Sequence, residues 1–183
     1  MHYLWTILVA LLLAACSGES YDRYVGLWKI ENSDFPAVLA ITKEDGKTYL
    51  INENILQETD FFGNKKKGRV LDLGEKGEMG INIGIGIIPV VLSEDGKTLR
   101  IDNRSYSKIS ESDFAAFKTE LEQNEKLCKQ LQEEYNNKRS QVKDTMWGAT
   151  PQERETAKAQ REKLVNEYKL KKEKIAYCRA NIY

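Results

Sequence analysis

Side chains able to do covalent or metal chemistry are few in this sequence: three Cys (Cys16, Cys128, Cys178) and one His (His2) among 183 residues. A thiol can be acylated, bind a metal, attack a carbonyl or form a disulfide. A triad, a Cys-His pair or a typical zinc site also needs imidazole. His2 lies in a segment that reads as removable, which would leave no histidine. Carboxylates are plentiful, but in the second half they stand among lysines at helical spacing and read as a solvated face. Gly84-Ile85-Gly86 lacks the third glycine and following helix of a dinucleotide site. The expectation is therefore no catalytic residue, no metal site and no cofactor. Lys and Arg (28) balance Asp and Glu (28). Without a cationic excess, nucleic acid is not an expected partner.

The first Cys has a distinctive setting. Residues 3–15 (YLWTILVALLLAA) are apolar except for Thr6. Thirteen residues fall short of the ~20 needed to span a bilayer and fit the apolar centre of an export signal. The run ends in Leu13-Ala14-Ala15-Cys16. This resembles the lipobox of bacterial lipoproteins. The resemblance implies removal of residues 1–15 and acylation of Cys16, with the membrane as partner through the acyl chains. Ser17, where an Asp would imply retention in the inner membrane, implies the outer membrane, facing the periplasm. Residues 16–20 read as a lipidated tether. The alternative is an uncleaved hydrophobic anchor.

Residues 21–110 carry short apolar runs broken by turn residues, the pattern of a small antiparallel β-barrel or sandwich. Strands are expected at 24–31, 37–42, 47–52, 68–73, 78–83, 86–92, 98–103 and 105–109. Glu-Asp-Gly-Lys-Thr occurs at 44–48 and again at 94–98. Both copies lie between apolar runs, so they read as two hairpin turns, by duplication or by reuse of turn chemistry. Along 80–87, Ile81, Ile83, Ile85 and Ile87 alternate with Gly80, Asn82, Gly84 and Gly86. As a strand this gives one isoleucine face and one bare face, which a ligand or the protein's own aromatics could approach. Pro89 marks an edge or a bulge.

Gly26-Leu27-Trp28 is similar to the first-strand G-x-W of lipocalin-like barrels. That resemblance implies that Trp28 closes one end of a barrel under an Arg from a late strand, with Arg100 and Arg104 as candidates. Phe61, Phe62, Lys65, Lys66 and Lys67 form the one notable surface cluster. It is either a contact for anionic lipid or an acidic partner, or a loop whose Phe pair tucks under the sheet.

Composition changes at 111. No Gly or Pro occurs from there to Val142, and Phe114, Phe117, Leu121, Asn124, Cys128, Leu131, Tyr135, Lys138 and Val142 recur at steps of three and four. Thr150-Pro151-Gln152-Glu153 reads as a second helix start, with an N-cap Thr and a capping-box Glu. Its seam is Ala157, Arg161, Leu164, Tyr168, Lys171, Ile175, Cys178 and Ile182. Residues 111–183 are thus expected to form a long antiparallel helical hairpin, and the fold class to be α+β. Both seams are narrow, so the hairpin needs reinforcement or a third surface such as the barrel. Cys128 and Cys178 sit on the two seams and read as a disulfide in an oxidising compartment, or as two separate thiols. Pairing them centres the turn at 153, three to four residues beyond the turn chemistry near 149–150, so the second helix is expected to overhang the first, with residues 143–149 climbing the gap.

The functional expectation is a lipid-anchored envelope protein that acts by binding or structural interaction with an envelope protein the sequence does not identify. Alternatives are a lipocalin-like carrier of a small apolar ligand, and an inhibitor of a periplasmic or invading enzyme that inserts Phe61-Phe62 or the Trp147 turn.

Overall fold

The computed structural model describes residues 21–57, 59, 67–73, 78–142 and 148–183. The chain divides into two compact units between Ser110 and Glu111.

The first unit opens with a 3-10 turn over Tyr21–Tyr24, followed by β1 (Gly26–Ile30), β2 (Val38–Glu44), β3 (Thr48–Asn52), β4 (Arg69–Leu73), β5 (Met79–Asn82), β6 (Ile87–Leu92), β7 (Thr98–Ile101) and β8 (Arg104–Ile109). Each strand pairs antiparallel with the next, and β1 pairs with β8, from Leu27↔Ile109 to Ile30↔Tyr106, closing an eight-stranded barrel. Closure removes the sheet edges that would otherwise expose unpaired backbone groups. Side chains alternate across each strand, and the inward set is large and apolar: Trp28, Leu39, Ile41, Tyr49, Ile51, Leu71, Met79, Ile81, Val90, Leu99 and Tyr106 are all buried in one cluster. An eight-stranded barrel is just wide enough for such side chains to fill.

The 80–87 run is not one strand. β5 stops at Asn82, and Ile83 to Gly86 form a tight hairpin in which Ile83 N–H donates to Gly86 O at 3.0 Å. Gly84 takes a φ of +84°, which glycine adopts without steric cost, and that breaks the alternation. The bare face at Gly80 is covered by the next strand: a Cβ there would overlap the Ile87 side chain. Pro89 pairs with Gly80 and lies one residue beyond Val90↔Ile101, where β7 has ended, so its position is locally an edge.

The repeated pentapeptide builds two different turns on strand pairs four apart around the barrel. At 44–48, Asp45 and Gly46 both take positive φ (44° and 76°) and Glu44 pairs directly with Thr48. At 94–98 only Gly96 does (70°), and Leu92↔Leu99 is the closing pair. The neighbour decides. Ser93 Oγ accepts from Thr98 N–H and donates to Asp95, which also accepts from Lys97 N–H. The first copy has Lys43 at that position.

The second unit comprises α1 (Glu111–Gln141) and α2 (Pro151–Glu173). Thr150 caps α2: its side chain accepts from Glu153 N–H, and the Glu153 carboxylate accepts from Thr150 N–H. This is the capping box read from the sequence. The second seam, however, is not helical to its end. α2 stops at Glu173, and Ile175, Cys178 and Ile182 lie on non-helical chain.

Tyr135 meets Tyr168 across the hairpin, with ring centroids 5.4 Å apart. A helix continued past Glu173 would bring residue 175, not 178, opposite Cys128. Instead the chain turns at Tyr177, at a positive φ of 61°. It then runs along α1 in the direction of α1: Cys178 reaches Cys128, Asn181 reaches Gln132 and Tyr183 reaches Tyr135. The misfit of three to four residues is absorbed by this reversal. Segment 178–183 is the third surface that the narrow seams required, with Ala180 and Ile182 buried beside Leu131, Tyr135 and Tyr168.

Candidate functional site

Sequence reasoning placed one candidate at the Trp28 end of the barrel. Trp28 is fully buried, and its Nε1 donates to Tyr24 O at 2.9 Å. The cation over its ring is Lys108, with Nζ 5.1 Å from the centroid, and not Arg100 or Arg104. The register explains the correction. Trp28 pairs with Lys108. Arg104 stands four residues earlier on β8, about 13 Å away along the strand. Arg100 follows inward-facing Leu99 and so lies on the outer surface.

Further contacts tie the first turn across this end. Tyr21 packs on Tyr49, Asp22 accepts from Tyr49 Oη (2.6 Å) and Lys43 Nζ (2.7 Å), and Arg23 donates to Glu94 O (2.6 Å). The hydrogen bond to Asp22 raises the proton affinity of both Tyr49 and Lys43. This end is a seal of aromatic rings, the Lys43–Asp22 ion pair and hydrogen bonds to backbone oxygens.

The opposite end differs. Ile85 is 95% exposed at the β5–β6 tip, and Ile83 and Ile87 flank it at 44% and 61%. Val70, on the neighbouring outer surface of β4, is also exposed. The sequence reading put the four isoleucines on one strand face. The missed signal is Gly84, whose place between Ile83 and Ile85 fits a two-residue hairpin connection as well as it fits a strand.

In the helical unit Cys128 and Cys178 form a disulfide, with Cα atoms 5.4 Å apart. Around it runs a polar clasp. The Gln132 amide accepts from Asn181 N–H (2.5 Å) and donates to Asn181 O (3.2 Å). Tyr135 Oη accepts from Tyr183 N–H and donates to Tyr183 O. Tyr168 is fully buried and donates to Glu134 at 2.5 Å, with Lys171 4.4 Å over its ring. Burial, aided by Glu134, holds the Tyr168 hydroxyl protonated above its usual range, while the Tyr168 hydrogen bond holds the Glu134 carboxyl below its own. Beside the clasp lies a groove of about 500 Å³ bordered by Tyr135, Arg139, Leu164, Val165 and Tyr183.

Cys16, Phe61, Phe62, Lys65, Lys66 and Trp147 lie outside the described residues, and Lys67 is exposed. Among the described residues, no group of three or more His, Cys, Asp or Glu is placed to hold a metal, and no helix is long and apolar enough to cross a membrane. The described surfaces include an apolar hairpin tip on the barrel and charged faces on two long helices. Comparison with known proteins returns no matching family model, no matching curated relative and no matching solved structure.

Proposed function

We propose that this protein is a lipid-anchored component of the bacterial cell envelope that acts by binding another envelope component and not by catalysis. The observation that carries the reading is the Cys128–Cys178 disulfide in a chain whose only other Cys ends an export-type leader at Leu13-Ala14-Ala15-Cys16. Disulfides persist in oxidising compartments such as the periplasm and are rare in the cytosol. Acyl chains on Cys16 hold the protein at a bilayer, each buried CH₂ contributing ~0.8 kcal/mol. Ser17 in place of an Asp, by the resemblance to bacterial lipoproteins, supports the outer membrane, on the periplasmic side. Binding in place of ligand carriage is favoured by a barrel interior occupied by its own side chains.

Intact-mass measurement on protein extracted from membranes tests the reading. The expected product lacks residues 1–15, carries acyl mass on Cys16 and is two hydrogens lighter than the dithiol. Cys16→Ser should abolish the acyl mass and release the protein from the membrane fraction. Full-length, unacylated protein with free thiols in the cytosol would overturn the proposal.

A further inference from the structure

The tip of the β5–β6 hairpin is costly to leave in water, and the fold gains little from it. Tight turns favour Gly, Asn, Asp and Ser, whereas this one presents Ile83-Gly84-Ile85-Gly86-Ile87. Ile85, at 95% exposure, contributes almost nothing to the core. A Cβ built at Gly84 or Gly86 would meet no atom within 4 Å beyond its own chain neighbours, so no other part of the fold packs on these two positions. The tip is also braced. Asn82 Oδ1 accepts from Gly84 N–H (2.8 Å), Asn82 Nδ2 donates to Asp72 (3.1 Å), and Ile83 N–H donates to Gly86 O. Exposed apolar clusters on a rigid support mark contact sites, and rigidity lowers the ordering cost of binding.

We infer that this tip inserts into a concave apolar pocket on another envelope protein. The inference rests on the envelope reading above and names the contacting element. The position of the tether disfavours the protein's own bilayer as the occupant. The link from Cys16 to Tyr21 is five residues and spans at most ~18 Å. It joins the barrel at the end sealed by Tyr21–Tyr24, and the β5–β6 tip is at the other end. The described residues at that end carry Asp34, Glu53 and Asp102 as well as Lys67, Arg69 and Arg104, a mixture of both signs. A second copy is disfavoured by size. Stable interfaces take roughly 20–30 residues a side, and the patch around the tip comprises Ile83, Ile85, Ile87 and Val70. A small knob binds well when it fills a pocket, because a few desolvated side chains then carry most of the affinity.

The test places a photoreactive amino acid at position 83 of the full chain in its native cells, with a control at Lys97 on the opposite end of the barrel. Irradiation should yield one discrete protein adduct from position 83 and none of that mass from position 97. Adding Ile85→Asp should cut its yield at least tenfold without moving the melting temperature, and Ile85→Leu should restore it. The adducted protein, once purified, should bind the unmodified chain and lose at least tenfold in affinity to the Ile85→Asp variant. Adducts to lipid only, an adduct of twice the chain's own mass, the same product from position 97, indifference to Ile85→Asp, or no adduct would each overturn the inference. Fractionation of the same cells reads export and anchoring separately, so failure of the envelope reading is distinguishable from failure of the tip.

Discussion

Trp28 and Leu99 in the barrel are sealed from water inside a sheet with no free edge, whereas Tyr135 and Tyr168 in the helical hairpin are equally buried but in a smaller cluster with Leu131, Ala180 and Ile182. Of the 31 residues of α1, only Phe117, Leu131 and Tyr135 are buried; of the 23 of α2, only Ala157 and Tyr168. The barrel is held by area: eleven inward side chains form one cluster, and each deletion leaves a cavity. The hairpin is held by fasteners, namely one disulfide, the Gln132 and Tyr135 hydrogen bonds to segment 178–183, and the Tyr168–Glu134 pair. Apolar area and specific links are alternative ways to offset chain entropy, and one chain uses both.

The contrast can be broken most directly in the barrel. Trp28→Ala should cost about 3–5 kcal/mol, the usual range for truncating a buried aromatic. Region-resolved hydrogen exchange should then show strands β1 to β8 losing protection while α1 and α2 keep theirs. Equal loss in the helices would mean that the two units are not energetically separate.

Next in size is the covalent link. Replacing both Cys128 and Cys178 by Ser should cost the hairpin roughly 4 kcal/mol on the chain-entropy estimate for a closed loop of about 50 residues. Urea unfolding followed by the helical circular-dichroism signal should show it, and a reducing agent should reproduce it in the native chain. An unchanged midpoint would show that the polar clasp suffices alone.

Tyr135→Phe keeps the ring and removes the hydroxyl that binds the Tyr183 backbone at both N–H and C=O. The expected loss is about 1 kcal/mol, read as faster amide exchange confined to segment 178–183.

The smallest effect should come from acid. Glu134 and Glu167 are held below the usual carboxyl range, first by hydrogen bonds from Tyr168 and Lys171 respectively. A lowered folded-state value means stability that is present above the usual Glu pKa of about 4.3 and is lost as pH falls toward the folded value. The helical signal at fixed urea should therefore decline below about pH 4.3, and Glu134→Gln should flatten that decline. In the barrel the Asp95 turn, where hydrogen bonds from Ser93 and Lys97 lower the carboxyl, should respond in the same way.

Much of the framework was legible because it depends on neighbours in sequence. The eight strands, the capping box at Thr150 and the disulfide partners follow from alternation, turn chemistry and cysteine count. The resemblance carried by Gly26-Leu27-Trp28 implies an Arg over Trp28, whereas Lys108 lies over its ring. Choosing among Lys108, Arg104 and Arg100 needs the β1–β8 register, which joins residues some 80 apart. The isoleucine run misled because a period of two describes a strand and a tight Gly-containing hairpin equally well until one knows where β5 stops pairing.

By itself the sequence determined an antiparallel sheet unit followed by two helices, and which cysteines could pair. Patterning and turn residues act over a few positions, and local sterics settle them. Only the tertiary structure decided that the sheet closes on itself, that the chain reverses at Tyr177 to lay segment 178–183 along α1, and that Ile85 stands in water while Ile81 does not. Each of these depends on which distant surface arrives first to cover an apolar side chain, and that competition leaves no mark in the local order of residues.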